Sequence, residues 1–460
     1  MTHMRPLIST IIAAFAAVAI AAQGQPPAAP PQDQPPQTDQ IKVVINGPPG
    51  SPPKYAVPDF IALSNDAETL AAAKTMGQVL WDDLNFEREF YLISRDTYKT
   101  IAPITSVESV PLEQWKQLGA DGLIIGTVKK TATGVAVQVR LLEVASGRIA
   151  LAKEYTGTLG NPRLYAHTAS DEIHQQQRAL RGVARTKLAF TSDRAGERMK
   201  GPVVDRGISN IYMSDYDGAN PKRVTVSRSI DISPTWSPDG QTIAYTSYRT
   251  DFPDVLVQYV YVLREPFRPA KGSAERQNYL PAWSPDGTKL AFWSNRDGNP
   301  EIYVVNRDGT GMRRLTNHPE NDSTPTWSPT GNQIAFTSNR SGSPQIWVMN
   351  ADGSQPQQIT HESWCDRPTW SVAPFNEIAY ASRTGAGFDV KVFDFATRST
   401  RQVTDGIGSN ESPAFSPNGR HVAFTSTRAG KEQIFVIDSD GKNLKQITRE
   451  GMNRYPSWSQ

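Results

Sequence analysis

A segment of about 44 residues recurs six times in this 460-residue chain, and no other feature constrains the fold as strongly. Each copy has Ile, Leu or Val, then Ala, then Phe or Tyr, with a Ser close behind. The alanines are 55, 47, 44, 44 and 44 residues apart: Ala189, Ala244, Ala291, Ala335, Ala379 and Ala423. That period is typical of four-stranded propeller blades. Because one small sheet cannot bury both its faces alone, the copies must stack around a common axis.

The clearest copy shows how each blade arises. Pro325–Ser328 predicts a short first strand, and a Pro-Thr-Gly turn leads into a second strand, Gln333–Ser338. A Ser-Gly turn precedes a third strand, Gln345–Asn350, and Asp352-Gly353 suits the tight hairpin before the fourth. We therefore expect four strands in each copy.

The end of the chain predicts how the ring closes. A Pro-x-aromatic-Ser element stands before every copy except the first, and the chain also ends on one. These elements begin at Pro234, Pro281, Pro325, Pro368, Pro413 and Pro456. We expect the C-terminal strand to complete the first blade, which gives a six-bladed propeller over residues 184–460 with no free sheet edge.

Residues 41–183 alternate strand and helix patterns and predict an N-terminal α/β domain, so the fold class is α+β. The expected strands are Ile41–Asn46, Phe60–Ser64, Phe90–Ser94, Gly122–Val128 and Val135–Val144. The expected helices are Glu68–Leu84, Leu112–Leu118 and Leu164–Leu180.

The first 40 residues predict export. Arg5 precedes the apolar stretch Leu7–Ala22, and small residues follow, which is typical of a signal peptide over residues 1–24, cleaved after Ala22 or Gly24. The stretch is short for a permanent span, so the mature protein is expected to lack one; an uncleaved anchor is the alternative. Residues 25–40 are rich in Pro and Gln and predict an extended tether, which serves as a spacer or as a docking peptide.

Composition excludes several functions. The net charge of +2, without a basic run, disfavours nucleic-acid binding, and a single cysteine rules out an intramolecular disulfide. The G-x-S-x-G, H-E-x-x-H and phosphate-loop motifs are all missing, and Gly385–Gly387 lacks the third glycine of a dinucleotide motif. We therefore expect no enzyme activity and no cofactor.

Three weaker patterns have structural and chemical interpretations. His167 and His174 lie two helical turns apart, which favours packing histidines over a shared metal ion. The Asp-x-Asp-Gly segments at Asp215 and Asp438 fall where hairpin turns are needed, which favours turns over calcium loops. Cys365, with His361 nearby, is interpreted as a structural thiol, although a Cys–His nucleophile is conceivable.

The remaining candidate site is a binding surface. The strand order puts the Pro-Asp-Gly and Asp-Gly turns on one rim of the ring, the turn rim. The Ser-x-Arg loops and the approaches to each Pro-x-aromatic element lie on the other, the loop rim, which is chemically richer. Its candidate partner-binding residues are Arg194, Asp231, Arg249, Asn278, Arg296, Asp322, Thr324, Arg340, Asp366, Asn410, Glu411, Arg428 and Arg454. The alternative is that these arginines tie adjacent blades together through local hydrogen bonds.

The chain resembles the TolB family of the periplasmic Tol–Pal system. The resemblance rests on the repeats, the segments Gly119–Gly126, Ala166–Glu172 and Ser214–Gly218, and the terminal Pro-x-Trp-Ser, and it covers residues 40–460. It implies a periplasmic, non-catalytic scaffold, a monomer within a multiprotein complex, that binds the peptidoglycan-associated lipoprotein Pal through one propeller face. It also implies contact of the mature N-terminal segment with the inner-membrane protein TolA, and a role in outer-membrane integrity and cell division.

Two features depart from the family pattern. The tether precedes the first strand, where the family has a short segment, and the first blade has about eleven extra residues around Gly196–Gly207, on the loop rim. Two other function classes stay open. One is a module that binds an envelope glycan or small ligand on exposed aromatics such as Trp364 or Tyr455. The other, disfavoured because the chain ends on the closing strand, is a propeller that serves a peptidase or hydrolase.

Overall fold

The computed structural model describes residues 51–198 and 207–460. The predicted signal peptide, the tether and the strand Ile41–Asn46 lie outside the described residues, as does most of the first-blade insertion.

The N-terminal region is a mixed sheet with helices on both faces. Its strands are β1 (Lys54–Ala56), β2 (Ile61–Ala62), β3 (Tyr91–Leu92), β4 (Gly122–Thr131), β5 (Gly134–Glu143) and β6 (Ile149–Gly157). Its α-helices are α1 (Ala67–Glu87), α2 (Leu112–Gln117) and α3 (Pro162–Arg178), and a 3₁₀ helix spans Arg95–Thr100. The sheet order is β3-β1-β4-β5-β6, with β2 paired to β4. The sequence missed β1 and β6.

The sequence explains the two layers of this sheet. Asp66 caps α1 by accepting a hydrogen bond from the Thr69 N–H at 3.0 Å, which satisfies one free helix-end donor. Apolar residues of α1 and α3 pack on the face of β4 and β5 that carries Ile124 and Val137. On the other face, Leu123 packs with residues of α2 and the 3₁₀ helix. Alternate residues of each strand thus serve opposite layers.

The remaining strands form six sheets around an axis. They are β7 (Lys187–Ser192), β8 (Asn210–Asp215), β9 (Lys222–Arg223), β10 (Asp231–Trp236), β11 (Thr242–Ser247), β12 (Asp254–Tyr259), β13 (Asn278–Trp283), β14 (Lys289–Ser294), β15 (Glu301–Asn306), β16 (Arg313–Arg314), β17 (Asp322–Trp327), β18 (Gln333–Ser338), β19 (Gln345–Asn350), β20 (Gln357–Gln358), β21 (Cys365–Trp370), β22 (Glu377–Thr384), β23 (Gly387–Asp394), β24 (Ser399–Gln402), β25 (Asn410–Phe415), β26 (His421–Ser426), β27 (Gln433–Asp438), β28 (Lys445–Gln446) and β29 (Asn453–Trp458). Blade 1 is β29-β7-β8-β9, blade 2 is β10–β12, and blades 3 to 6 follow as β13–β16, β17–β20, β21–β24 and β25–β28. The predicted six-bladed propeller behind an α/β region is confirmed.

Blade 2 departs from the expectation of four strands, because its described sheet has three. Where the fourth strand would lie, only Phe267 forms a bridge, to Val257. Pro266 and Pro269 flank Phe267, and proline has no N–H to donate to a ladder. The two prolines therefore limit pairing at this outer edge.

The last strand closes the ring, as predicted. β29 pairs antiparallel with β7, with Asn453 opposite Ser192 and Trp458 opposite Leu188. Trp458 is 5% exposed, and its indole N–H donates to the Thr186 hydroxyl at 2.7 Å. The two ends of the propeller sequence thus share one sheet.

The N-terminal domain packs on the turn rim at blade 1 through a buried charged cluster. His167 of α3 lies 2.8 Å from Asp83 of α1 through Nδ1 and 3.8 Å from Asp215 of β8 through Nε2. The Tyr216 hydroxyl donates to the other Asp83 oxygen at 2.8 Å. Burial acts to lower the pKa of His167, but the carboxylates of Asp215 and Asp83 outweigh it and raise this pKa to about 9. A charged imidazole therefore joins the two domains.

A second cluster joins the end of α1 to blade 6. Glu87 is buried and accepts the Val183 N–H at 2.8 Å and the Asn418 amide at 3.1 Å. His421 Nε2 lies 3.4 Å from Glu87, and its Nδ1 lies 2.8 Å from Asp438. Both histidine nitrogens thus face carboxylates, one from each domain.

None of the helices in the described part of the chain has the length and hydropathy needed to cross a membrane.

Ring closure predicts that the loss of β29 destabilises the whole propeller. Deletion of residues 453–460 should lower the melting temperature sharply, because it exposes the edge of β7. Trp458→Ala should cost about 3–5 kcal/mol of unfolding free energy, as expected for a buried Trp. Trp364→Ala, at a side chain 39% exposed, is the matched control and should cost about 0.5 kcal/mol or less. Unchanged thermal melts for both closing-strand variants would contradict the closure.

The charged cluster predicts that stability falls in alkaline solution. The pKa of His167 is about 9 in the folded protein against an ordinary value of 6.5. Its contribution is therefore fully present below pH 6.5 and is lost as the pH rises through about 9. Urea unfolding at a series of pH values should show a loss on the order of 2 kcal/mol across this window.

His167→Gln supplies the control, because glutamine cannot titrate. The variant should be less stable than the wild type at pH 6.5, and the decline between pH 6.5 and 9 should become shallower; the part that remains belongs to His421, whose pKa the carboxylates of Asp438 and Glu87 also raise. The same pH slope in both proteins would show that His167 does not carry the effect.

Candidate partner-binding face

The loop rim lies at the opposite end of the propeller axis from the two charged clusters. Their propeller residues belong to the turn rim: Asp215 and Asp438 end third strands, and Asn418 lies in the turn between β25 and β26. The N-terminal domain therefore occupies part of the turn rim, and the loop rim is the other candidate surface.

Four of the predicted arginines each link the innermost strand to the second strand of their own blade, and we call this link a clip. Arg340 donates from Nε to the Ser338 hydroxyl at 2.8 Å and from Nη2 to Asp322 at 2.5 Å. Its guanidinium carbon lies 5.3 Å from the centre of the Phe336 ring and 5.0 Å from that of Trp347. The same arrangement joins Arg194 to Asn453, Arg296 to Asn278 and Arg428 to Asn410. Each clip holds the innermost strand against the second strand of its blade.

The clips continue into the neighbouring blade through the asparagines. Asn278 Nδ2 donates at 2.7 Å to Asp254 at the start of β12 in blade 2. Asn453 makes the corresponding bond to Gln433 of blade 6 at 2.8 Å. Among the predicted site residues, Asp231, Asn278, Asp322 and Asn410 have no exposed surface. These four side chains hold the ring together and present nothing to a partner.

Blades 2 and 5 lack the clip. In blade 2, Asp231 accepts the Ser247 hydroxyl at 2.5 Å, and the exposed Arg249 reaches only the Tyr245 hydroxyl at 3.3 Å. In blade 5, Cys365 takes the asparagine position, and Glu362 instead binds Ser382 and Lys391. Arg249 is therefore the predicted arginine whose charge is most open to solvent.

Six residues form the mouth of the central tunnel on the loop rim. Each has a left-handed backbone conformation and directly precedes a proline. Each lies at a register shift between the innermost and second strands of its blade. They are Ser233 (φ 53°), Leu280 (φ 53°), Thr324 (φ 46°), Arg367 (φ 55°), Ser412 (φ 54°) and Tyr455 (φ 55°). Such strained backbone costs energy and clusters at functional sites. These residues line a small cavity of about 160 Å³.

Polar and aromatic groups surround this mouth. The Arg367 guanidinium lies 4.5 Å from the centre of the Tyr455 ring, two blades away around the mouth. Asp366 accepts hydrogen bonds from Thr337 at 2.9 Å and from Thr324 at 3.3 Å. Further out, Tyr279 stacks on Trp293 at 4.2 Å. Charge and aromatic surface thus meet at one opening, as in many protein interfaces.

Two outer members of the predicted set lie beside the mouth. Glu411 accepts the Ser409 hydroxyl at 2.6 Å, and Arg454 donates to Glu432 at 2.5 Å. Both side chains are half-buried, as are Thr324 and Asp366. The structure therefore gathers these four near the mouth.

Sequence reasoning did not select Arg367, Tyr279 or Trp293 for this surface. Arg367 had a usable signal, because it stands immediately before the proline of its Pro-x-aromatic element, as the other five mouth residues do. Tyr279 and Trp293 had none, because they meet only when β13 and β14 pair, with Tyr279 opposite Trp293.

The structure gives no support for a catalytic thiol. Cys365 has no exposed surface, and burial raises the pKa of its thiol to about 11. In the described ranges, no three His, Cys, Asp or Glu side chains gather as metal ligands would. His174 instead contacts the Ser170 carbonyl through Nδ1, at 2.9 Å.

Comparison with known proteins agrees with the fold and the order of the domains. The family model of the TolB amino-terminal domain matches residues 41–150, and that of the TolB beta propeller domain matches residues 176–460. The Tol-Pal system protein TolB of Bordetella avium is 37% identical over 424 residues, which is 91% of this chain and 90% of the relative.

Two further relatives give the same assignment. The Tol-Pal system protein TolB of Desulfosudis oleivorans is 36% identical over 263 residues, a stretch that spans only 57% of either chain. The crystal structure of TolB from Acinetobacter baumannii is 25% identical with a TM-score of 0.70, over 89% of this chain and 97% of that one. On the family models and the near full-length match, this chain belongs to the TolB family.

Proposed function

We propose that this protein is a non-catalytic, periplasmic component of the Tol–Pal system that binds a Pal-type lipoprotein through the loop rim. In this role it supports outer-membrane integrity and invagination at division. Family membership supports the system, since curated relatives are named as Tol-Pal system proteins. The signal peptide predicted over residues 1–24 supports the location.

One observation carries the choice of face: the N-terminal domain occupies the turn rim at blades 1 and 6. Glu87 and His167 anchor it to blades 6 and 1 through buried contacts. A large partner over blades 1 and 6 of the turn rim would compete with that domain, whereas the tunnel mouth lies on the other side of the ring.

The mouth has the chemistry of a protein interface. Arg367 and Tyr455 form a cation–π pair beside the half-buried carboxylate of Asp366. Aromatic and arginine side chains over a rigid scaffold are frequent binding hot spots. The left-handed backbone keeps these groups at fixed positions, so little ordering entropy is lost on binding.

The second partner is a TolA-type inner-membrane protein, which we place at the mature N-terminal segment. That segment, including the tether, lies outside the described residues, so the family resemblance alone supports this contact. The monomeric state within a multiprotein complex likewise stays a prediction.

The experiment is capture of the lipoprotein from an envelope extract with the mature protein. Arg249→Glu with Arg367→Glu should weaken capture of a Pal-type lipoprotein at least about tenfold, because reversed charges at an interface oppose association. The four clip arginines are unsuitable for this test, since their loss would loosen the blades themselves.

Arg398→Glu is the matched control, because this exposed arginine lies between β23 and β24 on the turn rim. It should leave capture unchanged. Equal capture by the Arg249/Arg367 double variant and the control would refute the loop rim as the binding face. Recovery of no Pal-type lipoprotein by the wild type would refute the lipoprotein-binding role.

A further inference from the structure

One position in each blade lies next to the aromatic residue at the end of the innermost strand, and in some blades a large side chain at this position covers that residue. This cover position directly follows the third strand. In blades 2 to 6 its backbone N–H donates a hydrogen bond to the carbonyl of the residue directly before the second strand. The covered aromatic residues of blades 1 to 6 are Trp458, Trp236, Trp283, Trp327, Trp370 and Phe415. The cover residues, in the same order, are Tyr216, Val260, Arg307, Ala351, Phe395 and Ser439.

Blades 3 and 5 show what a large cover residue does. The Arg307 guanidinium lies 5.4 Å from the centre of the Trp283 ring, and its Nη1 lies 3.2 Å from Asp239 in the turn of blade 2. Phe395 stacks on Trp370 with 5.3 Å between ring centres and 7° between planes. Each aromatic side chain is thereby covered on its outer face.

Blade 4 has alanine at the cover position, and its tryptophan is left open. Among the six aromatic residues, all within the described ranges, Trp327 alone is half-buried; the other five are between 5% and 8% exposed. A cavity of about 540 Å³ lies beside the Trp327 ring, between blades 3 and 4, and Ala351 and Asp286 line it. The space that Arg307 fills in blade 3 is therefore vacant in blade 4.

The carboxylate that would pair with a cation in this cavity is present. Asp286 stands in the turn of blade 3 where Asp239 stands in that of blade 2. It accepts hydrogen bonds from the Ser284 hydroxyl at 2.5 Å, from the Thr288 N–H at 3.0 Å and from the Thr288 hydroxyl at 2.8 Å, which together with the charge of Lys289 hold its pKa below the ordinary value. In the described parts of the chain, no cationic side chain lies within salt-bridge distance of Asp286, whereas Asp239 is paired with Arg307.

Hydrogen-bond donors line the rest of the cavity. Lys289, Arg313 and Asn332 contribute to its wall, and Arg313 Nη2 lies 3.4 Å from the Ala351 carbonyl oxygen. Donors of this kind suit backbone carbonyl groups. An aromatic floor, a carboxylate without an ion-pair partner and surrounding donors together suit an arginine within a polypeptide better than an isolated cation.

We propose that this cavity of the turn rim receives an arginine side chain of a partner polypeptide, stacked on Trp327 and paired with Asp286. The occupant reproduces between blades 3 and 4 what Arg307 does between blades 2 and 3. The site is separate from the loop rim and does not depend on the proposed lipoprotein binding.

The test uses N-acetyl-L-argininamide as the probe and follows it by saturation-transfer NMR on the full mature protein. The wild type should transfer saturation to the probe at millimolar concentration. Ala351→Arg should abolish the transfer, because it fills the cavity from within. Arg307→Ala should open an equivalent cavity at Trp283 and Asp239, and the transfer should rise about twofold.

Two further probes and one variant make the outcome decisive. N-acetyl-L-glutaminamide, which is neutral, should show at least fivefold less transfer than the arginine probe. Chitobiose should show none; preferential transfer to chitobiose would make the cavity a glycan site and overturn the proposal. Asp286→Asn, which keeps the size of the side chain, should reduce transfer to the arginine probe.

Stability and capture measurements complete the test. Ala351→Arg should melt no lower than the wild type, and its capture of the lipoprotein should be unchanged. The proposal is overturned if the wild type shows no transfer to the arginine probe, or if Ala351→Arg leaves the transfer intact. Failure of the lipoprotein capture alone would bear on the loop rim and not on this cavity.

Discussion

The pairing of β29 with β7 is the contact on which the rest of the propeller depends. It joins residues 453–458 to residues 187–192 and removes the two edges that an open six-sheet array would expose. Only in a closed ring do the six innermost strands face one another across a tunnel. The tunnel mouth, the two rims and the cavities between blades are all consequences of that closure. In a chain with a single, buried cysteine, strand pairing and packing supply it without a disulfide.

Contacts with the N-terminal domain then make the two rims different. Glu87 and Asp83 of α1 meet His421 and the His167–Asp215 pair in clusters that are almost fully buried. A buried charge left without its partner is strongly destabilising, so these contacts bind the two domains tightly. They occupy the turn rim at blades 1 and 6, whereas the cavity at Trp327 lies between blades 3 and 4 of that rim. The loop rim, with its strained mouth, faces the other way.

The sequence predicted the architecture well, because period, turn dipeptides and the terminal Pro-x-Trp-Ser are local signals that a propeller must repeat. It predicted the loop-rim residues less well, because their roles depend on pairing. Arg340 and Asp322 are 18 residues apart and meet only when β17 lies beside β18, so a candidate contact residue is in fact a clip. The cavity at Ala351 could have been only half found: aligned repeats show a small residue where blades 3 and 5 have Arg307 and Phe395, but blade 6 has Ser439 there and its Phe415 is still buried. The cluster of Asp83 and His167 could not, because the two residues are 84 apart and, although His167 lies in the segment Ala166–Glu172, nothing in the sequence pairs it with Asp83.

The assignment of partner binding to the loop rim is tested most directly by amide hydrogen exchange of the mature protein with and without the purified periplasmic domain of a Pal-type lipoprotein. Binding at the loop rim predicts slower exchange, on adding the lipoprotein, in peptides that contain Arg367 and Tyr455 at the tunnel mouth. Peptides from the turns at Asp239 and Gly331 on the turn rim should be unaffected. Protection confined to the turn rim, with none at the mouth, would contradict binding at the loop rim.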